Sequence, residues 1–172
     1  DIRRFNTIQN GTIPAYGSPS TIKDLKRIFD YIREDKEPGV YRPQITFREC
    51  RGPFAVGELQ VEPLPVEHGT CSTIGYLFRE GTHRLGYVPD CSVMPEETVQ
   101  RLTGVDIMIL DALRIRPHKT HLTLEDSLKL LRRIGAGRSY IIHMCHDLDH
   151  EATQRSLPDT VYVSYDGLTL EL

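Results

Sequence analysis

Ile141-Ile142-His143-Met144-Cys145-His146-Asp147-Leu148-Asp149-His150 is the stretch that decides the fold. Tyr140–Ile142 is a short apolar run of the kind that forms a buried strand, and residues 143–150 after it hold three histidines and two aspartates. An apolar strand that opens directly into imidazoles and carboxylates is the layout of a layered α/β protein. Helices cover the faces of such a sheet, so the strand ends are left to carry chemistry. The crowding is local, since five of the seven histidines lie between His118 and His150.

The same arrangement recurs upstream. Val105–Leu110 is an apolar run interrupted only by Asp106, and Asp111 follows it. Arg84–Val88 is followed by Asp90, and Leu59–Val66 by His68. One such residue alone reads as a turn former or a cap. Four strands that each deliver an imidazole or a carboxylate at the C-terminal end read as a site. Neutral imidazole with carboxylate is a donor set for Zn, Mn or Fe at positions left open to water. His83, beside the Glu80-Gly81 turn, reads as a solvated loop residue.

The remaining segments fit between these strands. Ser20 is placed to cap a helix on which Ile22, Leu25, Phe29 and Ile32 recur at helical spacing. Ile13-Pro14-Ala15-Tyr16-Gly17 is a short apolar stretch broken by Pro and Gly, and Glu37-Pro38-Gly39 marks a turn. Ile45–Phe47 and Thr73–Phe78 read as strands, and Met94-Pro95-Glu96-Glu97 opens a short helix to Leu102. Thr123 caps a helix with Leu124, Leu128 and Leu131 on its buried face, Arg132 and Arg133 in its last turn, and Gly135 as its stop. Asp149–Gln154 predicts one or two helical turns. Val161–Tyr165 and Leu168–Leu172, around Asp166-Gly167, predict a closing hairpin. A meander followed by strand-helix-strand-helix gives mixed α/β sheets covered by helices.

Composition removes several function classes. The 172 residues suffice for one domain with a real core. Twenty-one Lys and Arg against 24 Asp and Glu leave a formal net charge of −3, which offers no basic field for a nucleic-acid backbone. No apolar run approaches the ~20 residues that span a bilayer, and the charged first residues carry no signal-peptide pattern. The expected location is cytoplasmic. Cys50, Cys71, Cys91 and Cys145 are scattered without a C-x-x-C pair, which favours free thiols over a disulfide framework or zinc knuckle.

Taken in order, several pieces carry a resemblance over nearly the whole chain. They are Leu64-Pro65-Val66-Glu67-His68-Gly69, Gly86-Tyr87-Val88-Pro89-Asp90-Cys91, Leu110-Asp111-Ala112-Leu113, His118-Lys119-Thr120-His121-Leu122, the His143 stretch and Tyr165-Asp166-Gly167-Leu168. The chain resembles the metallo-β-lactamase superfamily of metal-dependent hydrolases, in the branch of the phosphoribosyl cyclic phosphate phosphodiesterases, relatives of the tRNA 3′-processing nucleases. The resemblance implies an αββα sandwich of two mixed sheets flanked by helices, of which this chain is the C-terminal part. It implies two divalent metal ions, Zn or Mn, with His68 a ligand of the first, Asp90 the carboxylate that bridges both, and His143 a ligand of the second. A carboxylate between two cations lowers their repulsion and holds their spacing. It implies that His121 serves as the general acid or contacts the substrate phosphate; the catalytic role is assigned to His121 as the acid, His118 being the competing candidate. His146 and Asp147 are candidates to orient ligands.

The family's signature, H-x-H-x-D-H, is absent, and Asp1–Asn6 resembles the segment that follows it. The expectation is a single metallo-β-lactamase-like domain over 1–172 that lacks its N-terminal portion. The native protein would then continue upstream of Asp1 with a histidine-rich loop, and residues 1–172 alone would be inactive. The expected function is hydrolysis of a small, cyclic phosphodiester by a metal-activated water. The alternatives are a thioester or lactone hydrolase on the same fold, or a metal-free scaffold that is not an enzyme. The expected partner is the small phosphodiester substrate, with no membrane and no nucleic acid, and a homodimer is left open.

Overall fold

Residues 2–32 and 41–171 are described by the computed structural model of the chain, so the turn expected at Glu37-Pro38-Gly39 lies outside the described residues. The chain divides into two compact units, residues 1–52 and 53–172.

In the first unit, helix α1 (Ile2–Gln9) leads to strand β1 (Ile13–Gly17), helix α2 (Pro19–Ile28), a 3-10 turn (Asp30–Ile32) and strand β2 (Ile45–Glu49). β1 and β2 pair in parallel, Ile13 opposite Ile45. Asn6 ties α1 to them: its buried amide donates to the carbonyls of Gly11 and Gln44 at 2.9 Å and accepts the Gln44 N–H at 2.9 Å. Two sequence expectations shift here. The α2 cap is Ser18, whose Oγ accepts the Thr21 N–H at 3.2 Å, and not Ser20. The cause is Pro19, whose fixed φ and missing N–H suit the first helical position. The helix stops at Ile28, leaving Phe29 and Ile32 beyond it. Ile13–Gly17 is a strand in spite of Pro14, because a two-stranded sheet has only edges, where a missing donor is tolerated.

The second unit holds a seven-stranded sheet in chain order: β3 (Phe54–Val56), β4 (Leu59–His68), β5 (Cys71–Glu80), β6 (His83–Val88), β7 (Ile107–Asp111), β8 (Arg138–Ile142) and β9 (Val161–Val163). β3 to β6 pair antiparallel, and β6 to β9 pair parallel. β5 is antiparallel to both β4 and β6, so β4, β6, β7, β8 and β9 all run one way. Their C-terminal ends form one edge of the sheet. Helices α3 (Glu96–Leu102), α4 (Leu124–Ile134) and α5 (His150–Ser156) supply the crossovers that parallel pairs require. This is the mixed α/β architecture expected from the sequence.

The core lies where apolar strand residues such as Val66, Leu77, Val88, Met108, Leu110 and Ile141 meet Leu102 of α3 and Leu131 and Ile134 of α4. α4 forms as its sequence reads: the Thr123 Oγ1 accepts the Asp126 N–H at 3.1 Å, and Gly135 ends the helix at φ 64°. The closing hairpin does not form. Val161–Val163 adds to the sheet as a parallel strand beside β8, Ser139 opposite Val161. Asp166-Gly167 does turn, with the Leu168 N–H on the Tyr165 carbonyl at 3.1 Å. The ladder has already ended by then, because the last backbone bond to β8 is from Ser164 to Ile141. Residues 168–171 therefore have no strand to pair with among the described residues, and Arg138 holds them instead through the Glu171 carbonyl at 2.8 Å.

Packing across β5 and β6 leaves no room at Gly75. A Cβ there would stand 2.6 Å from Val88 Cγ2 and 3.1 Å from the Tyr87 carbonyl oxygen, and a β-branched neighbour with backbone behind it cannot yield. Gly75→Ala is expected to destabilise the protein by about 1–3 kcal/mol through overpacking, read as a lower urea midpoint at unchanged slope.

Candidate functional site

The shared strand edge assembles the site. His68 is the last residue of β4, Asp111 the last of β7, and His143 the first after β8, while Asp90 lies two residues past β6. His121 comes from the β7–α4 loop, two residues ahead of the Thr123 cap. His121 is the hub of the group. Its Nε2 is 3.1 Å from His68 Nε2, its ring centre 4.6 Å from those of His68 and His143, and its Nδ1 3.0 Å from Asp111 Oδ2. His143 Nε2 is 3.5 Å from Asp90 Oδ1. All four candidate residues of the sequence analysis thus come together, and Asp111 stands behind them.

Local backbone chemistry holds this arrangement. After His68 the chain turns at Gly69, φ +66°, where a Cβ would stand 2.7 Å from Thr120 Cγ2, so glycine lets the His68 turn and the His121 loop touch. The Gly69 N–H reaches Ser92 Oγ at 2.9 Å, and Ser92 and Val93 bond back to Glu67, which brings the Asp90 segment against the end of β4. The β7–α4 loop is tied to the His143 loop by the Cys145 N–H on the Leu113 carbonyl at 2.9 Å and by the Arg116–Asp147 ion pair at 2.9 Å. Arg114 folds the same loop onto itself through the carbonyls of Arg116 and Pro117. His143 takes a left-handed backbone, φ 62°, uncommon for a residue with a Cβ. Such strain persists where the surroundings fix it.

Burial sets the electrostatics. Asp111 has no exposed surface, and desolvation pushes its carboxyl up to about 7, against the opposing pull of the Cys91 and Leu122 backbone amides. Among the described residues its Oδ1 has no hydrogen-bond partner of good geometry, and its side-chain contact is to His121 through Oδ2. Desolvation, then the neighbouring His143 and His68, lower the His121 imidazole below its ordinary value. Cys91, beside Asp90, is buried and pushed up to about 12, an inert thiol. No cysteine is in a disulfide, as the scatter of the four predicted.

The donor chemistry fits a divalent cation. One ligand atom each from His68, Asp90 and His121 lie within 4.8 Å of one another, and His143 joins through Asp90. The tightest trio takes His121 where the sequence analysis placed His143. A ligand histidine and an acid histidine can both be braced by a carboxylate on the second ring nitrogen, so the Asp111 contact serves either role. Asp111 is the residue to which sequence reasoning gave no task, although its place at the end of an apolar run was the signal. His83 stays at the exposed start of β6. His146 is 95% exposed and Asp147 is engaged by Arg116, so neither is seen orienting a ligand.

Residues 1–144 match the family model for a beta-lactamase superfamily domain. A diphosphatase from the PhnP family, known from its crystal structure, is similar with a TM-score of 0.81 and 33% identity, over 92% of this chain and 57% of that one. The Zn²⁺-bound PqqB from Methylobacterium extorquens has a TM-score of 0.73 at 21% identity, over 94% of this chain and 66% of its own. The octanoyltransferase of Porphyromonas gingivalis W83 is 27% identical over 161 residues, 91% of this chain and 32% of that protein. The chain thus spans about a third of the length of that curated relative and just over half that of the diphosphatase. No helix among the described residues is long and apolar enough to cross a membrane.

The Asp111 shift has a defined sign. A carboxyl raised in the fold favours its protonated form there, so its contribution to stability is complete below its ordinary value near 3.8 and is lost as pH rises through about 7. Asp111→Asn keeps the shape without the charge. In the metal-free protein its Tm, relative to the parent, should rise steadily between pH 4 and 8 and then level off, and thermal melts across that range read the difference.

Proposed function

The chain belongs to the metallo-β-lactamase superfamily, and from this and the site we propose that it is a metal-dependent hydrolase of a small phosphodiester, a cyclic one in particular. The observation that carries the reading is the contact between His121 and the buried Asp111 at 3.0 Å, beside the His68 and Asp90 donors. An alkoxide is a poor leaving group and needs a proton as the P–O bond breaks, whereas a thiolate, whose thiol has a pKa near 8.5, departs without one. A positioned imidazole with a carboxylate at its back is thus apparatus for an oxygen leaving group. The similarity to a PhnP-family diphosphatase points the same way.

His68, Asp90 and His143 would hold two divalent ions, Zn or Mn. When bound, such ions supply Lewis-acid polarisation of a phosphoryl oxygen and an acidified water. The remaining work falls to this chain's own side chains. When ionised, Asp111 accepts a hydrogen bond from the His121 Nδ1–H, which fixes the ring and its tautomer. Nε2 is then the nitrogen that carries a proton to the leaving oxygen, and the Asp111 charge stabilises the imidazolium that precedes that delivery. The left-handed turn at His143 and the Arg116–Asp147 tie keep the His121 and His143 loops in fixed register.

Leaving-group dependence tests the assignment. In the metal-loaded intact protein, His121→Ala should lower turnover of an alkyl phosphodiester by about 10²–10⁴ and that of a p-nitrophenyl ester much less, with metal content unchanged. Asp90→Ala should lose metal. A thioester turned over faster than any phosphodiester would sink the reading, and metal loss in His121→Ala would make that residue a ligand.

A further inference from the structure

His118, the competing candidate for the acid, has no part in the step proposed above, yet its ring centre lies 5.3 Å from that of His121, at a tilt of 37°. Its Nδ1 takes the Thr120 backbone N–H at 3.3 Å, with the Thr120 hydroxyl at 3.1 Å. A backbone N–H can only donate, so Nδ1 is the acceptor. In the neutral ring the proton then sits on Nε2, leaving an outward donor without a protein partner among the described residues. The surroundings favour an anionic acceptor for it. Residues 112–122 contain Arg114, Arg116 and Lys119 and no carboxylate. Only Arg116 is neutralised, by Asp147, while Arg114 is bonded to uncharged carbonyls.

We infer that His118 is a second substrate-contacting imidazole, donating its Nε2–H to a non-bridging oxygen of the same phosphoryl group whose leaving oxygen His121 protonates. The inference rests on the phosphodiester reading of the site. Hydrogen bonds of about 2.8 Å from both rings let one phosphoryl group span two imidazoles whose centres are 5.3 Å apart. The pair works in different directions: His121 is braced by a buried acid and set to give up its proton, while His118 is clipped by an amide and keeps its own. His118 thereby adds a hydrogen bond to charge carried by the phosphoryl oxygens.

Two substitutions separate this role from that of a loop clip. In His118→Asn the side-chain oxygen replaces Nδ1 as acceptor for the N–H two residues on, an ordinary Asx turn, and the Nε2 donor is gone. His118→Gln restores an amide donor further out and gives up the clip. In the metal-loaded intact protein, His118→Asn should lower kcat/KM for bis(p-nitrophenyl) phosphate by about 10- to 100-fold, the loss of one bond to a charged group. It should weaken the Kd of inorganic phosphate by a similar factor, with Tm and metal content at parent values. His118→Gln should recover part of both. The ¹⁵N spectrum of the parent should show His118 protonated on Nε2, with that resonance moving as phosphate is added. Parent-like kinetics and Kd in the Asn variant would overturn the inference, as would an unmoved resonance, or a fall in Tm or metal content without rescue by Gln. Absence of phosphodiester turnover in the intact parent protein would strike the functional reading alone, since the phosphate titration still decides whether His118 binds the anion.

Discussion

Parallel pairing of β6 to β9 is the constraint from which the site follows. Each parallel pair needs a crossover, so a helix or a long loop must leave every C-terminal strand end and return to the opposite edge. The antiparallel hairpin of β4 and β5 would break this rule if it placed β4 beside β6. Because β5 lies between them, β4 runs with the parallel strands and its last residue, His68, arrives at the same edge as Asp111 and His143. Residues separated by tens of positions meet because strand direction leaves no other edge for them. The functional loops then start from rigid ends, which is what precise placement of reacting groups demands.

One of those ends carries a cost that packing alone does not explain. β7 is buried at Ile107, Met108 and Leu110, and it ends in a carboxylate with no exposed surface and one oxygen without a partner. A structural aspartate at such a place would be bonded on both oxygens. An apolar residue of similar volume would be more stable. The carboxylate makes sense as the group that defines His121, since burial strengthens its hold on Nδ1. The lowered imidazole and raised carboxyl are two faces of the same desolvation.

The sequence exposes some of this and conceals the rest, for physical reasons. β7, β8 and α4 are legible because burial on both faces writes a continuous apolar run, and because Thr123, Asp126 and Gly135 are caps that act through neighbouring backbone. His68, Asp90, His121 and His143 are legible as polar residues at predictable places, although their roles rest on resemblance. Asp111 is legible as a member of the site but not in its role, because a carboxylate aimed inward looks the same in sequence as one aimed at water. α1 escaped for a related reason, since Ile2, Phe5 and Ile8 are exposed and only Asn6 is buried, so its apolar stripe does not mark an inward face. The closing hairpin failed because Asp166-Gly167 encodes the turn but not whether a strand remains to pair after it.

The loop from Ala112 to Leu122 shows how such a site is held without regular structure. Leu113 accepts from Cys145 and donates to Leu122, so the loop is closed at its base and tied to the His143 side through the same residue. Arg114 satisfies two carbonyls that the turn exposes, and Arg116 fastens the crest to Asp147. Arg116 is 75% exposed, and an ion pair of that kind adds little to stability. Its effect lies elsewhere: with the backbone bonds already fixing the base, one further point of attachment removes the remaining rotation of the crest, where His118 and Thr120 sit. A weak contact can therefore decide the geometry of a site whose stability is settled by the sheet beneath it.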